Sequence, residues 1–222
     1  MEIFDENFCL KNRFYDKAIE QRKTNPLYAK VTELQEEFIE KIVIERNLQK
    51  QNILELESYA QLLARQKSKF DIVKSNFFLH KLNDIEARLG SVKNNLTANG
   101  LFYGTFFGEE NLVDFSKQTL ALQDILLGQI YPMSLPVINT KTLGMLLHKI
   151  GFSDVSVLNI KQTYTFENVK QMLNFMRQIG GTNCLAERQK SILPKQFLQQ
   201  LQKQYSNNFE LTFDVNLFFC FG

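Results

Sequence analysis

The segment NILELES (52–58) and the run Phe70 to Ser75 both have the β-branched, apolar character of strands, and only the eleven residues Tyr59 to Lys69 lie between them. Joining two parallel strands takes a crossover of about ten to twelve residues. The gap therefore holds one crossover and no further strand, with the helix-forming YAQLLARQK as its body. Residues 52–57 and 70–75 are expected to pair in parallel as direct neighbours.

The turn after the first run lacks the chemistry that opens a nucleotide-type α/β domain. Glu57 is followed by Ser58, Tyr59, Ala60 and Gln61, and the first of the ten glycines is Gly90. An ordinary glycine content of about 7% would place roughly six before that point. Glycine supplies the positive φ and the close backbone approach that a phosphate- or cofactor-cradling turn uses. No such turn forms here in the usual way.

Beyond this region strand and helix patterns alternate, as in an α/β sheet. Thr32 and Gln35 read as a capping box opening a helix of about 14 residues with Leu34, Phe38, Ile42 and Val43 on one face. Asn83 and Glu86 read as a second capping box, between strands at 70–75 and 101–107. Helices are expected at about 111–127 and 141–150, the latter stopped by Gly151, with strand alternation from Phe152 to Phe166. A helix over 167–179 ends at Gly180 and Gly181, Pro194 opens another, and Phe209 to Phe221 is a last strand. The charge run KNRFYDKAIEQRK (11–23) reads as a solvated helix face.

A chain of 222 residues, 44% of them hydrophobic, fits one domain with a real core. A net charge of +2 gives no basic footprint for a phosphate backbone, so nucleic acid is not an expected partner. Cys9, Cys184 and Cys220 form an odd set without paired spacing, which points to a reducing, cytoplasmic setting. No apolar run reaches the roughly 18–20 residues of a transmembrane segment. The chain has no GxSxG, GxxxxGK[ST], HExxH or CxxC pattern, and His80 and His148 are far apart, so no metal site is expected.

Several segments, in order, resemble one subgroup of class I S-adenosylmethionine-dependent methyltransferases. IFDENFCLKNRFYDKA resembles that subgroup's opening helix. FDIVKSNFFLHKLNDIE, with Phe70, Asp71, Ser75, Leu79, His80, Asn83 and Asp84, resembles its fourth strand and following turn. NGLFYGTFFGEENL is similar to its fifth strand, and SLPVINTKTLGMLLHKIGF to the segment before its sixth. MRQIGGTNCLAERQK is the most specific match. The subgroup contains the malonyl-carrier-protein methyltransferase of biotin synthesis and the methyltransferase-like assembly factor of respiratory complex I, and the last match favours the second branch.

The resemblance implies a single methyltransferase-like domain over 1–222: N-terminal helices over 1–45, a truncated Rossmann-like half over 46–110 and a family-specific half over 111–222. The family's strand order, 3-2-1-4-5-7-6, makes strands one and four neighbours, so a sheet without strands two and three still connects. The expected order is 1-4-5-7-6, mostly parallel, with the last strand antiparallel. On the family pattern Glu55 takes the acidic position of strand one, and Glu57, Tyr59 and Gln61 take the three glycines. A carboxylate at Glu57 would repel the cofactor's own carboxylate. The missing strands would have carried the ribose and adenine contacts.

The expectation is therefore a methyltransferase-like protein with a degenerate cofactor site, no bound cofactor and no catalytic residues, serving as a binding or assembly factor for an unnamed protein partner. Glu55, Glu57, Ser75, Asn76 and His80 are the remnants of the pocket. The alternative is an active methyltransferase that holds S-adenosylmethionine by an unusual loop, with Asn76 and His80 in its pocket. His80 also reads as a structural side chain capping the next turn, and a decaying gene product is a third reading. Residues 1–45, or a partner strand or second copy, are expected to cover the edge exposed at 52–57.

Overall fold

The computed structural model describes residues 2–6, 8, 20–48, 51–57, 69–132, 137–181, 183–188, 194–206 and 208–222. The crossover over 59–68 and the first part of the charge run lie outside them. Five strands form one sheet: β1 (Ile53–Glu55), β2 (Phe70–Ser75), β3 (Leu96–Phe107), β4 (Ser153–Phe166) and β5 (Phe209–Phe221). Their spatial order is β1-β2-β3-β5-β4, the expected reduced sheet. Ile53 pairs with Ile72 and Glu55 with Lys74 in parallel, and β5 runs antiparallel to both neighbours.

The order follows from burial. Central β3 and β5 are apolar on successive residues because both faces are covered, as strands inside a layered α/β sheet must be. Leu101, Tyr103 and Phe107 join Phe213, Val215, Leu217 and Phe219 in one core. Phe102 and Phe106 turn the other way with Phe218 and Cys220 into a second, as the two-residue strand period dictates. Edge strand β4 alternates instead, with every second side chain facing water over much of its length.

Helices α1 (Pro26–Arg46), α5 (Val169–Gln178) and α6 (Lys195–Gln204) supply the first core, together with α3 (Val113–Leu127). Helices α2 (Ile85–Asn94) and α4 (Thr140–Ile150) cover the second. Helix α4 stops at Gly151, which takes a φ of 96° that suits glycine.

Both capping boxes are corrected. Helix α1 begins a turn and a half before Thr32, where Pro26 fixes the first helical φ and the Asn25 side chain accepts from the Leu27 and Tyr28 amides. Thr32 is mid-helix and its hydroxyl has no hydrogen-bond partner. Helix α2 has no side-chain cap. The Asn83 carbonyl oxygen instead accepts from the Ile3 and Phe4 amides, and its amide donates to the Phe4 carbonyl, tying down the N-terminal segment.

Of the expected covers of β1, the described part of residues 1–45 does not supply a paired strand. Helix α1 lies on a sheet face, with the Phe38 ring centred 5.3 Å from that of Phe219 and tilted against it, and among the described residues no strand pairs with the outer edge of β1. Burying the apolar stripe of α1 on a broad face removes more area from water than a three-residue edge offers. The charge run is corrected at Arg22, which is 1% exposed. Cys184 is disulfide-bonded, against the reading of an unpaired set, and Cys220 is a buried free thiol.

Candidate functional site

Strand β1 ends at Glu55 and leads to Leu56 and Glu57, beside Ser75 and Asn76 at the carboxyl end of β2. Open α/β sheets bind ligands at such ends. Here side chains fill the place. The Ser75 hydroxyl donates to the Leu56 carbonyl at 3.0 Å, closing the two strands on each other. Asn76 and Gln35 of α1 exchange two amide hydrogen bonds at 2.9 and 2.7 Å. Arg22 enters from the turn Arg22–Thr24, donates to the carbonyls of Asn76 and Gln178 at 3.2 Å, and lies 3.6 Å from Glu57. The Tyr28 hydroxyl reaches Glu57 at 3.4 Å. Its pKa is raised by burial first and then by the charges of Glu57 and Glu55.

Of the five residues singled out from the sequence, Glu57, Ser75 and Asn76 meet here. Glu55 is drawn off to Lys74, its cross-strand partner, at 2.9 Å. His80 sits in the turn Leu79–Lys81 with its ring 4.7 Å from Phe107. It makes no side-chain cap, and neither ring nitrogen has a partner at hydrogen-bond geometry, so the capping role is corrected. His148, in α4, is exposed, and no cluster fit for a metal ion occurs among the described residues. Sequence reasoning missed Arg22 and Gln35, because a polar residue on a polar segment carries no sign of burial.

A second concavity opens at the carboxyl end of β3, between α3, α5 and α6, with a volume of about 380 Å³. Phe107, Phe115, Met176, Phe197, Leu201 and Phe213 give it an apolar lining. The turn at its edge is pinned to β5: the Gly108 amide donates to the Asp214 carbonyl and the Glu110 amide to the Asp214 carboxylate, each at 2.8 Å. Only glycine fits at 108, since a Cβ there would strike that carboxylate. The sequence held one signal of this cleft. The segment MRQIGGTNCLAERQK contributes Met176, Arg177, Gly181, Asn183 and Arg188 to its wall.

The chain is 31% identical over 146 residues to RP459 of Rickettsia prowazekii, a candidate methyltransferase by its name, covering 65% of this chain and 64% of that protein. The similarity is to a protein named as a methyltransferase and runs over about two thirds of each chain. It is also 29% identical over 119 residues to arginine-hydroxylase NDUFAF5, mitochondrial, of Dictyostelium discoideum, covering 53% of this chain and 27% of that one. The mouse protein of the same name is 26% identical over 141 residues, covering 64% and 40%. This methyltransferase-like chain thus spans less than two thirds of the length of each of these relatives. A solved methyltransferase-like structure from Bacillus halodurans superposes loosely, with a TM-score of 0.44 and 10% identity over 72% of this chain and 73% of that one. No family model matches.

At the ends of β1 and β2, where open α/β sheets bind ligands, the chain's own side chains occupy the interior. Arg22, Gln35 and Asn76 are each about 1% exposed there. A bound cofactor would have to displace a guanidinium that already holds two buried carbonyls, and would meet the Glu57 carboxylate.

The same interior makes stability depend on pH. Burial first, then the Lys81 charge, push the His80 pKa well below its usual value, and a polar contact with the Gly180 backbone offsets only part of this. Burial and then Arg22 likewise lower Lys81. A depressed base is neutral when folded and protonated when unfolded, so the unfolded state binds more protons. Stability therefore falls as pH drops below about 6.5 for His80 and below about 10.4 for Lys81, by up to about 1.4 kcal/mol per unit for each. Urea midpoints should rise from about pH 5 to about pH 9. His80→Phe should flatten only the acid limb; an acid limb unchanged in that variant would show that His80 titrates as freely folded as unfolded.

Proposed function

We propose that this methyltransferase-like chain works without S-adenosylmethionine, as a non-catalytic binding protein that engages a protein partner in the manner of an assembly factor. The observation that carries the reading is Arg22, whose buried guanidinium bridges the Asn76 and Gln178 carbonyls in the crevice beside Glu57. Two supports stand with it. The short connection from β1 to β2 leaves no strand to carry the ribose and adenine contacts. No Asp or Glu is among the described residues lining the cleft, so those residues offer no counter-ion for the arginine that gives its NDUFAF5 relatives their name.

The partner's identity and a cytoplasmic location belong to this proposal. No helix among the described residues is long and apolar enough to cross a membrane. The outer edge of β1, which no strand pairs among the described residues, is the simplest place for a partner strand.

Calorimetry of the full chain with S-adenosylmethionine tests the reading. The missing turn and ribose contacts each remove charge-assisted hydrogen bonds worth about 1.5–3 kcal/mol, together a hundredfold or more in affinity. No binding heat is expected up to millimolar ligand. A dissociation constant in the low micromolar range would restore the enzyme reading, with Asn76 and His80 as its pocket residues.

A further inference from the structure

The cleft between α3, α5 and α6 has chemistry that the cofactor question leaves untouched. Its volume of about 380 Å³ is that of a small-molecule site. Leu120 and Leu198 carry the apolar lining out to the rim, 37% and 42% exposed. Its polar groups are almost all committed. Arg188 holds the Asp5 carboxylate at 3.2 Å and the Leu185 carbonyl at 2.8 Å, with its guanidinium 3.8 Å from the centre of the Phe8 ring. Asn183 donates to the Pro132 carbonyl and accepts from the Leu185 amide. Asn111 accepts from the Asp214 amide, and the Thr119 hydroxyl donates back to its own helix.

Arg177 is the charged exception. It lines the cleft from the last turn of α5, is exposed, and its guanidinium makes no hydrogen bond or ion pair among the described residues. A cavity with a greasy floor and an uncompensated guanidinium at its wall suits one kind of guest. The body must be apolar, since the floor offers almost no free hydrogen-bonding group. The head must be anionic, since a neutral head forgoes the charge-assisted pair and a cation is repelled.

We propose that the cleft binds a small amphiphilic monoanion, an alkyl or aryl body of about ten carbons bearing one carboxylate, with Arg177 as its counter-ion. The proposal goes beyond the cofactor-free reading and stands or falls apart from it.

The test is calorimetry of the full chain with decanoate, decanol and decyltrimethylammonium, each below its micelle-forming range. Decanoate is expected to bind at least about tenfold more tightly than decanol, and the ammonium not at all. Arg177→Gln should bring decanoate down to the affinity of decanol and leave decanol unchanged. Leu198→Trp, at a half-exposed rim position that leaves the core intact, should abolish binding of both, with circular dichroism confirming the fold. The proposal is overturned if decanoate does not bind, if it binds no better than decanol, or if it binds Leu198→Trp as well as the parent. Parallel titration with S-adenosylmethionine separates the two readings: cofactor heat with decanoate binding intact would overturn only the cofactor-free function.

Discussion

Replacing Arg22 by alanine should lower the stability of the fold by about 3 kcal/mol, the lower end of what removing one partner of a buried ion pair costs. The loss is placed at that end because the Glu57 side chain is 21% exposed, and at 3.6 Å the pair is neither tight nor fully desolvated. Most of the loss should come from the Asn76 and Gln178 carbonyls, which the guanidinium satisfies in the interior. One unfavourable feature offsets part of it: the terminal nitrogen Nη2 of Arg22 is buried with no partner. A double-mutant cycle with Glu57→Gln should give a coupling of about 1 kcal/mol or less. Arg22→Lys should recover little, because an ammonium cannot span two carbonyls as the planar fork does. The cost should also shrink in acid, since the Arg22 charge helps hold His80 and Lys81 below their usual values. Urea midpoints measure all of this, and an Arg22→Ala variant as stable as the parent would remove the ground for treating the crevice as filled by design.

Gly104→Ala should be at least as damaging, about 3 kcal/mol or more, at the upper end of overpacking costs because backbone has to move. Gly104 lies on β3 in register with Ser75 of β2. A methyl group at 104 would fall inside contact distance of the Ser75 carbonyl oxygen and press on the Phe218 ring at 3.1 Å. Phe218 has nowhere to go, packed against Phe102 and Phe106 in the second core. Relief has to come from separating β2 and β3, which also carries away β1, whose place in the sheet runs through β2. Thermal unfolding would show a large drop in midpoint, and hydrogen exchange should rise first at residues 70–75. Gly90, on α2, is the control, because a methyl group added there would meet nothing within 4 Å. Alanine at 90 should raise stability by up to about 1 kcal/mol.

The strand order is what the family resemblance implies, and the lengths and periods of the sequence supply only the strand types and the short connection that agree with it. Eleven residues between 58 and 70 permit one crossover and no more, which is compatible with the parallel pairing of Ile53 with Ile72. The continuous apolar run of β5 marks a strand covered on both faces, and Gly151 marks the end of α4 by backbone sterics. These are local rules, and each holds whatever lies nearby. The N-terminal segment obeyed no such rule. Thr32 and Gln35 have the spacing of a capping box, yet Asn25 and Pro26 start the helix earlier, because a longer α1 buries Tyr28 and Val31 on the sheet. Asn83 has the look of a helix cap and spends its side chain on Ile3 and Phe4, 80 residues away. Arg22 stands in a run of charges and is buried, because two carbonyls and a carboxylate from distant segments converge where it enters. The cleft is the same kind of fact: Arg177 and Arg188 are close in sequence, but only packing decides that Asp5 neutralises one and nothing among the described residues neutralises the other. Period, length and glycine act along the chain, where sequence records them; burial of a charge depends on which partners the fold brings to it, and that is settled only when the layers close.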